Sequence, residues 1–302
     1  MAEDKVVLVG ADGSPESLGA VDWAVARAAR SGWRVHILCA YSLPSFTTAS
    51  LDGGYAALDD TAIRSGAQAV VDEAVTRAQG KGVTVTSSLE TGDPAGVLVD
   101  LSDEATLAVV GTRGGGGFAD RLLGTVSSAL PAHAHCPTVV VPRHVEGAEY
   151  TPVGRIVVGV DGSDSARKAL RWAVREAEVW GAELTAIAAV PMASGAGALA
   201  WLPAAVDREQ VLTDVRSGLD RAVAAAVEGH SGVTVRRHAL DGNAAQLMSE
   251  FSTAVDLVVV GSRGRGGFSG LLLGSTSQGV LSHAACPIMV VPARSRDEAS
   301  SS

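Results

Sequence analysis

The stretch VVGSRGRGGFSGLLLGSTS, residues 259–277, ends an apolar run, passes through a glycine-rich turn and opens a new segment at Gly274. The stretch VVGTRGGGGFADRLLGTVS, residues 109–127, has the same layout 150 positions earlier. Both fit the pattern G-x2-G-x9-G-[ST]. An apolar, β-branched run that leads into a glycine turn and a helix start is typical of a strand–turn–helix unit. The duplication therefore predicts two copies of one α/β domain.

Other segments repeat with almost the same offset, so the two halves are alike along most of their length. KVVLVGADGS, residues 5–14, returns as RIVVGVDGS, residues 155–163. CPTVVVP, residues 136–142, returns as CPIMVVP, residues 286–292. Because only one repeat boundary is present, the pattern indicates a duplicated domain rather than a solenoid.

We predict a first domain at residues 1–143 and a second at residues 154–294, joined by a polar linker and followed by a frayed tail. Within each half, short β-branched runs alternate with longer helical patterns, as in βαβ units of a parallel sheet. Fully apolar strands fit a sheet that helices cover on both faces. The first half has predicted strands near residues 5–10, 34–41, 83–89, 106–111 and 138–142, and predicted helices near 15–31, 60–80, 94–104 and 125–135. Ser14 and Asp93, each followed by proline, predict two helix starts.

The composition is that of a globular protein and limits the classes of function. The 302 residues carry a net charge of −9, of which −8 falls in residues 1–150 and −1 in residues 151–302. Because an acidic surface repels the phosphate backbone, we expect no nucleic-acid partner. Short apolar runs and a charged start without a signal core predict a cytoplasmic protein that does not enter the membrane. Three cysteines without a CxxC motif predict buried thiols.

Two turns in each half carry the candidate chemistry: the Asp-Gly-Ser turn after the first strand and the glycine-rich turn. Both leave the carboxyl ends of strands, where open α/β sheets bind ligands. Glycines permit close approach of a ligand to the backbone and positive φ angles. The helix start that follows favours phosphate through its free N–H groups and its dipole. Nearby hydroxyl and guanidinium groups add donors and positive charge. The sequence has neither a Walker A lysine nor a GxGxxG motif after the first strand.

Together, the spaced glycines, the Asp-Gly-Ser turns and the Cys-Pro strands resemble the ATP-binding universal stress proteins, and the resemblance covers both halves. It implies an α/β fold of two Rossmann-like domains of the adenine nucleotide alpha hydrolase-like type. Each would have a five-stranded parallel sheet of order 3-2-1-4-5. The resemblance also implies that Asp12 and Asp161 lie beside adenine and ribose, that backbone at Ala40 and Ala189 contacts adenine, and that the glycine turns surround ribose and phosphates.

We therefore predict one ATP site in each half, with Mg²⁺ as an optional companion of the phosphates. The first site comprises Asp12, Gly13, Ser14, Ala40, Gly111, Arg113, Gly114, Gly124, Thr125, Val126 and Ser127. The second comprises Asp161, Gly162, Ser163, Ala189, Gly261, Arg263, Gly264, Arg265, Gly274, Ser275, Thr276 and Ser277. We predict no catalytic residue and no metal ligand of the protein itself.

Three interpretations of the function stay open. The first is a binding and signalling module, in which ATP sets a conformation or the choice of an unidentified protein partner. The second is a slow ATP hydrolase, or an enzyme that transfers a phosphoryl or adenylyl group. Such an enzyme needs an activated acceptor and charge neutralisation, and no histidine or lysine is duplicated where it would serve. The third is a scaffold without nucleotide, against which the intact glycine motifs count.

The last strand of each half is apolar and would be a sheet edge, which is a liability when unpaired. The resemblance implies that the last strands of two domains pair, and we predict this pairing within one chain. Association of two chains into a homodimer is left open. Trp23 and Trp172 lie mid-helix among alanine and valine, and we predict that both pack in the core.

Overall fold

The computed structural model describes residues 5–42, 60–114, 123–143, 149–192, 208–265 and 272–293. The predicted frayed tail and the middle of the predicted linker lie outside the described residues.

The first half follows the predicted alternation of strands and helices. Its elements are β1 (Val6–Gly10), α1 (Pro15–Ser31), β2 (Arg34–Tyr41), α2 (Asp60–Ala78), β3 (Val85–Thr91), α3 (Pro94–Leu101), β4 (Leu107–Gly111), α4 (Thr125–His133) and β5 (Thr138–Val141). The second half repeats them as β6 (Arg155–Gly159), α5 (Asp164–Trp180), β7 (Glu183–Val190), α6 (Arg208–Ala226), β8 (Val235–Asp241), α7 (Ala244–Phe251), β9 (Leu257–Gly261), α8 (Ser275–His283) and β10 (Ile288–Val291).

The ten strands form one sheet in the order β3-β2-β1-β4-β5-β10-β9-β6-β7-β8. Within each half the strands are parallel and have the predicted order 3-2-1-4-5. The halves join where β5 pairs with β10 in antiparallel orientation, with Val139 opposite Met289. The predicted pairing of the last strands within one chain is therefore confirmed, and neither β5 nor β10 is an edge.

Helices cover both faces of the sheet, as the apolar strands predict. One core lies between the sheet and the helices α1, α2, α5 and α6, and it contains the buried rings of Trp23 and Trp172. The other lies under α3, α4, α7 and α8, and it contains Leu98, Leu130 and Met248. Both tryptophans are thus packing residues, as predicted.

The predicted helix starts are confirmed by their caps. The Ser14 hydroxyl accepts a hydrogen bond from the Ser17 amide at 3.2 Å, and the Asp93 carboxylate accepts one from the Gly96 amide at 2.9 Å. The prediction was less accurate at the far ends, because α3 stops at Leu101, three residues before its predicted end. All three cysteines are buried and free. Within the described ranges, no helix is long and apolar enough to cross a bilayer.

Candidate functional site

An equivalent cavity opens in each half at the carboxyl ends of the strands. Its volume is about 400 Å³ in the first half and about 430 Å³ in the second. Both values lie in the range of small-molecule sites. In the sheet, β1 and β4 are neighbours, while the chain continues from β1 to one side and from β4 to the other. The cavity therefore lies at the topological switch point, where open α/β sheets bind ligands.

The turn after the first strand holds an aspartate at the cavity. The turn depends on glycine, because Gly13 has a φ of 79° and Gly162 a φ of 82°, in the left-handed region. Beyond each glycine the chain folds back, so that the Ser14 amide donates to Asp12 Oδ1 at 3.0 Å. The equivalent bond to Asp161 Oδ1 is 2.9 Å long. Each carboxylate is thereby fixed at the cavity edge by its own turn.

Hydrogen bonds join this aspartate turn to the glycine-rich turn. In the second half, the Arg265 amide donates to Asp161 Oδ2 at 2.9 Å, and the Ser163 hydroxyl donates to the Arg263 carbonyl at 3.4 Å. In the first half, the Ser14 hydroxyl donates to Asp12 Oδ1 at 2.5 Å and also lies 3.3 Å from the Arg113 carbonyl. The two predicted motifs, about 100 residues apart in the chain, therefore form one wall of one cavity.

The glycine-rich turn is closed on itself before the next helix begins. The carbonyl of Thr112 accepts hydrogen bonds from the Gly124 amide at 2.9 Å and from the Ser127 hydroxyl at 2.6 Å. The equivalent groups of the second half meet the carbonyl of Ser262 at 2.8 and 3.2 Å. This closure places the first turns of α4 and α8 at the cavity.

Closure of the turn occupies two of its four predicted hydroxyl donors. Ser127 and Ser277 line the cavities, but both are 1% exposed and donate to carbonyls of the turn. A serine hydroxyl has one proton to donate, so donation to a ligand would require each of these hydroxyls to turn away from its carbonyl, and their contact with a ligand stays a prediction. Thr125 and Ser275 are exposed at the helix starts and keep that capacity.

The helices that follow have no side-chain cap, because Gly124 and Gly274 occupy the N-cap positions. The first amides of a helix have no partner within the helix. Together with the positive end of the helix dipole, they favour an anion. Arg113 lines the first cavity, whereas Arg263 and Arg265 line the second.

Of the two reasons for glycine in this turn, close approach and positive φ, the described glycines show the first. Gly111, Gly114 and Gly124 are not among the residues with positive φ. A Cβ on Gly111 would lie 2.7 Å from the carbonyl carbon of Glu16 in α1. A Cβ on Gly114 would overlap the carboxylate of Asp12. The first glycine therefore lets the turn pack on α1, and the second lets it reach the aspartate.

The wall opposite the two turns is apolar, and sequence reasoning missed it. It is formed by α3 in the first half and α7 in the second, together with strand residues beneath them. Its members are Leu38, Pro94, Leu98 and Val110 in the first cavity and Ile187, Ala244, Met248 and Val260 in the second. The signal was present, since the helix residues are spaced i and i+4 after a helix start, which places them on one face.

Most of the predicted site residues lie at these two cavities, including Ala40 and Ala189 at the ends of β2 and β7. Four predicted residues do not line them: Gly13, Ser14, Gly162 and Ser163. These four shape the aspartate turn and cap α1 and α5 instead.

The cavities are poor in titratable groups. Among the described lining residues, Asp12 and Asp161 are the only carboxylates, and none is a histidine or lysine. In the part of the chain that is described, no three acidic, histidine or cysteine side chains are grouped to hold a metal ion. Beside the first cavity, burial and then the charge of Asp12 raise the pKa of the Cys39 thiol, which keeps it protonated.

Comparison with known proteins agrees with this architecture. The model of the universal stress protein family matches the chain twice, at residues 5–142 and 152–292. A universal stress protein of Mycobacterium tuberculosis is 32% identical over 298 residues, which cover 94% of this chain and 95% of the relative. One of Mycobacterium bovis is 33% identical over 292 residues, covering 94% and 96%. The crystal structure of a universal stress protein from Archaeoglobus fulgidus has the same fold, with a TM-score of 0.69, 21% identity and 98% coverage of both chains.

Proposed function

Because the chain belongs to the universal stress protein family, we propose that each of its halves binds one molecule of ATP in its cavity. The observation that carries the proposal is the duplicated cavity itself. In both copies, an apolar wall faces a turn that ends at an uncapped helix start. An adenine nucleotide has the matching division into a flat apolar base and a charged phosphate chain. We assign one site to each proposed domain, residues 1–143 and residues 154–294.

The apolar wall suits the adenine base. In the first half, Leu98 of α3 and Val110 of β4 lie on the wall, and Met248 and Val260 take their places in the second. Burial of apolar surface between base and side chains contributes roughly 25 cal/mol per Å². Backbone groups at Ala40 and Ala189, which also line the cavities, would bond the edge of the base.

The turn and helix start suit the phosphates. Amides of the first turn of α4 and α8 would donate to phosphate oxygens, and the hydroxyls of Thr125 and Ser275 would add one donor each. Gly114 and Gly264 let the backbone approach the phosphate chain. The arginines of the turn supply positive charge and suit bidentate contacts with phosphate.

We assign Asp12 and Asp161, which line the cavities beside the glycine turn, to the ribose. A carboxylate at this position accepts hydrogen bonds from ribose hydroxyls. One carboxylate per site is too few to hold Mg²⁺ alone. The ion would therefore be held by phosphate oxygens and water, with one carboxylate at most, which is usual for Mg²⁺ on nucleotides.

We propose binding and signalling rather than fast catalysis. Phosphoryl transfer requires a group that positions or activates the acceptor, and charge neutralisation at the transferred phosphate. The described lining residues offer no histidine or lysine for this purpose. Occupancy would instead fix the glycine turn and the starts of α4 and α8, a surface that a protein partner could recognise in the cytoplasm.

The ligand is tested by denaturing freshly purified protein and identifying the released nucleotide by chromatography, alongside titration of stripped protein with ATP, AMP, cyclic AMP and GTP. We expect ATP to be released or to bind best. Hydrolysis is followed over hours, with a Gly114→Val/Gly264→Val double variant as the control. ADP formation by the wild-type protein above that control would favour the slow hydrolase. Failure of every adenine nucleotide to bind would contradict the proposal.

A further inference from the structure

A buried ion pair lies between the two halves, at equivalent positions of the repeat. Arg27 of α1 and Glu176 of α5 are 149 residues apart, the same offset as Asp12 and Asp161. Arg27 Nε lies 2.7 Å from Glu176 Oε2, and Nη2 lies 2.8 Å from Oε1. Their side chains are 2% and 0% exposed. The contact is thus a bidentate pair with almost no access to water.

The position of this pair follows from the symmetry of the two halves. β5 and β10 are equivalent strands that pair antiparallel, with Val139 opposite Met289. These two residues are also equivalent in the repeat. An approximate two-fold axis therefore passes through both contacts, and a residue on such an axis faces its own equivalent. If two identical halves paired in this way, Arg27 would face a second Arg27.

The residues that surround the ion pair also differ between the two halves. Arg27 Nη1 donates to the Ser31 hydroxyl at 2.8 Å, whereas Trp180 Nε1 donates to Glu176 Oε2 at 3.1 Å. Ser31 and Trp180 are again 149 residues apart. The ring of Trp180 crosses the interface and lies 6.1 Å from that of Trp23. A small residue on one side thus matches a large one on the other.

We propose that these positions make the pairing surface of each half selective for the opposite half. A pair of first halves would bury two arginines and two serines, leaving like charges in contact and no large ring to fill the space. A pair of second halves would bury two glutamates and two tryptophans. Burial of an unpaired charge is strongly unfavourable. The chain therefore closes on itself, and its α1 and α5 surfaces do not join like halves of other copies.

Stability alone would not require this arrangement. Well-packed apolar side chains often stabilise a buried contact as much as an ion pair does. A polar pair does more for specificity, because it penalises wrong partners. In a pair of identical halves, the axis would bring like charges together. Their repulsion is the penalty for a wrong partner.

The test uses the full chain, because single charge reversals reproduce the charges of the wrong pairs. Arg27→Glu creates the two glutamates of a pair of second halves, and Glu176→Arg creates the two arginines of a pair of first halves. Arg27→Gln and Glu176→Gln are the matched neutral controls. The double reversal, Arg27→Glu/Glu176→Arg, restores opposite charges. Urea unfolding midpoints are compared for all six proteins, including the wild type.

We expect each reversal to lower the midpoint further than the neutral change at the same position. We expect the double reversal to recover at least half of the larger loss, even though Trp180 then loses its acceptor. If the single reversals do not fold, folding of the double reversal gives the same support. Reversals no worse than their neutral controls, or a double reversal no better than either single one, would overturn the proposal.

Discussion

A Cβ atom on Gly264 would lie 2.6 Å from Oδ2 of Asp161, so the glycine-rich turn can reach the aspartate turn only because this residue has no side chain. The carboxylate has little freedom to move away, since it accepts hydrogen bonds from the amides of Ser163 and Arg265. Gly114 has the same relationship with Asp12 in the first half. A contact between the turns therefore depends on one glycine in each half.

Substitution of these glycines is expected to remove one site at a time. Gly264→Val would displace the Asp161 carboxylate and push the turn away from the phosphates, and Gly114→Val would do the same in the first half. Overpacking of this kind costs about 1–3 kcal/mol, so affinity at the altered site should fall by a factor of about 5 to 140. Equilibrium dialysis with labelled ATP measures the remaining sites.

The matched control is Gly232→Val, at an exposed glycine where a Cβ meets nothing within 4 Å. It should bind as the wild type does, and circular dichroism should show all three variants folded. Two unaltered sites in both Gly114→Val and Gly264→Val would refute the assignment of the glycine turns.

A second pair of glycines is expected to matter for stability. A Cβ on Gly111 would lie 2.7 Å from the Glu16 carbonyl carbon, and one on Gly261 would lie 2.8 Å from that of Ser165. Gly111→Ala and Gly261→Ala should each destabilise the fold by about 1–3 kcal/mol. Gly19→Ala is the control, and its expected effect is opposite. Gly19 lies inside α1 with open space around it, so alanine there should stabilise the fold by about 0.5–1 kcal/mol. Urea unfolding measures the stability of the three variants relative to the wild type. Gly111→Ala and Gly261→Ala variants as stable as the wild type would contradict the prediction.

The sheet order and the positions of the strands were predictable because the repeat and the alternation of elements are strong local signals. Helix starts were predictable for the same reason, since Ser14 and Asp93 cap their helices through contacts three residues away. The ends of the helices were less predictable. α4 stops at His133 because Ala134 turns to an extended conformation before the Cys-Pro strand, and no single residue type marks that change.

The candidate site was predictable as far as its two turns. Its apolar wall was missed. The i, i+4 spacing puts the helix residues on one face, but Leu98 and Met248 meet the turns only through the packing of α3 and α7 on the sheet, which the spacing does not give. The pairing of Arg27 with Glu176 was also beyond the sequence. Their contact depends on where α1 and α5 lie relative to the approximate two-fold axis, and the predicted pairing of the last strands does not give that position.

The cysteines are expected to be inert in the folded protein. Burial raises the pKa of Cys136 and of Cys286 to about 12, from an ordinary value of 9.0. At pH 8 a disulfide reagent should therefore label these two slowly, while all three thiols react after denaturation. The folded state keeps protons that the unfolded chain releases, so stability should fall as the pH rises from 9 toward 12. Rapid labelling of Cys136 in native protein would count against its burial.

The second site is expected to bind ATP more tightly than the first. Arg263 and Arg265 both line the second cavity, whereas Arg113 lines the first. The net charge also differs in this direction, at −8 for residues 1–150 and −1 for the remainder. In the first half, the positions equivalent to Arg265, Gly270 and Leu271 are Gly115, Asp120 and Arg121, and all three lie outside the described residues. Asp120 would weaken the attraction for ATP, and Arg121 would offset part of the difference between the sites.

Because exposed charges are screened over about 8–10 Å, the difference should shrink as salt is added. The two single-site variants, Gly114→Val and Gly264→Val, isolate the sites for titration at low and high ionic strength. Tighter binding at the first site in low salt would contradict the electrostatic argument and leave the ATP assignment intact.

The most direct measurement of the central proposal is isothermal titration of nucleotide-stripped protein with ATP. Two equivalent cavities, each with an apolar wall and an uncapped helix start, predict a stoichiometry near two ATP per chain. The Gly114→Val/Gly264→Val double variant, if folded, should show no binding. Absence of ATP binding to the wild type, or a stoichiometry near one that neither single variant changes, would contradict the account.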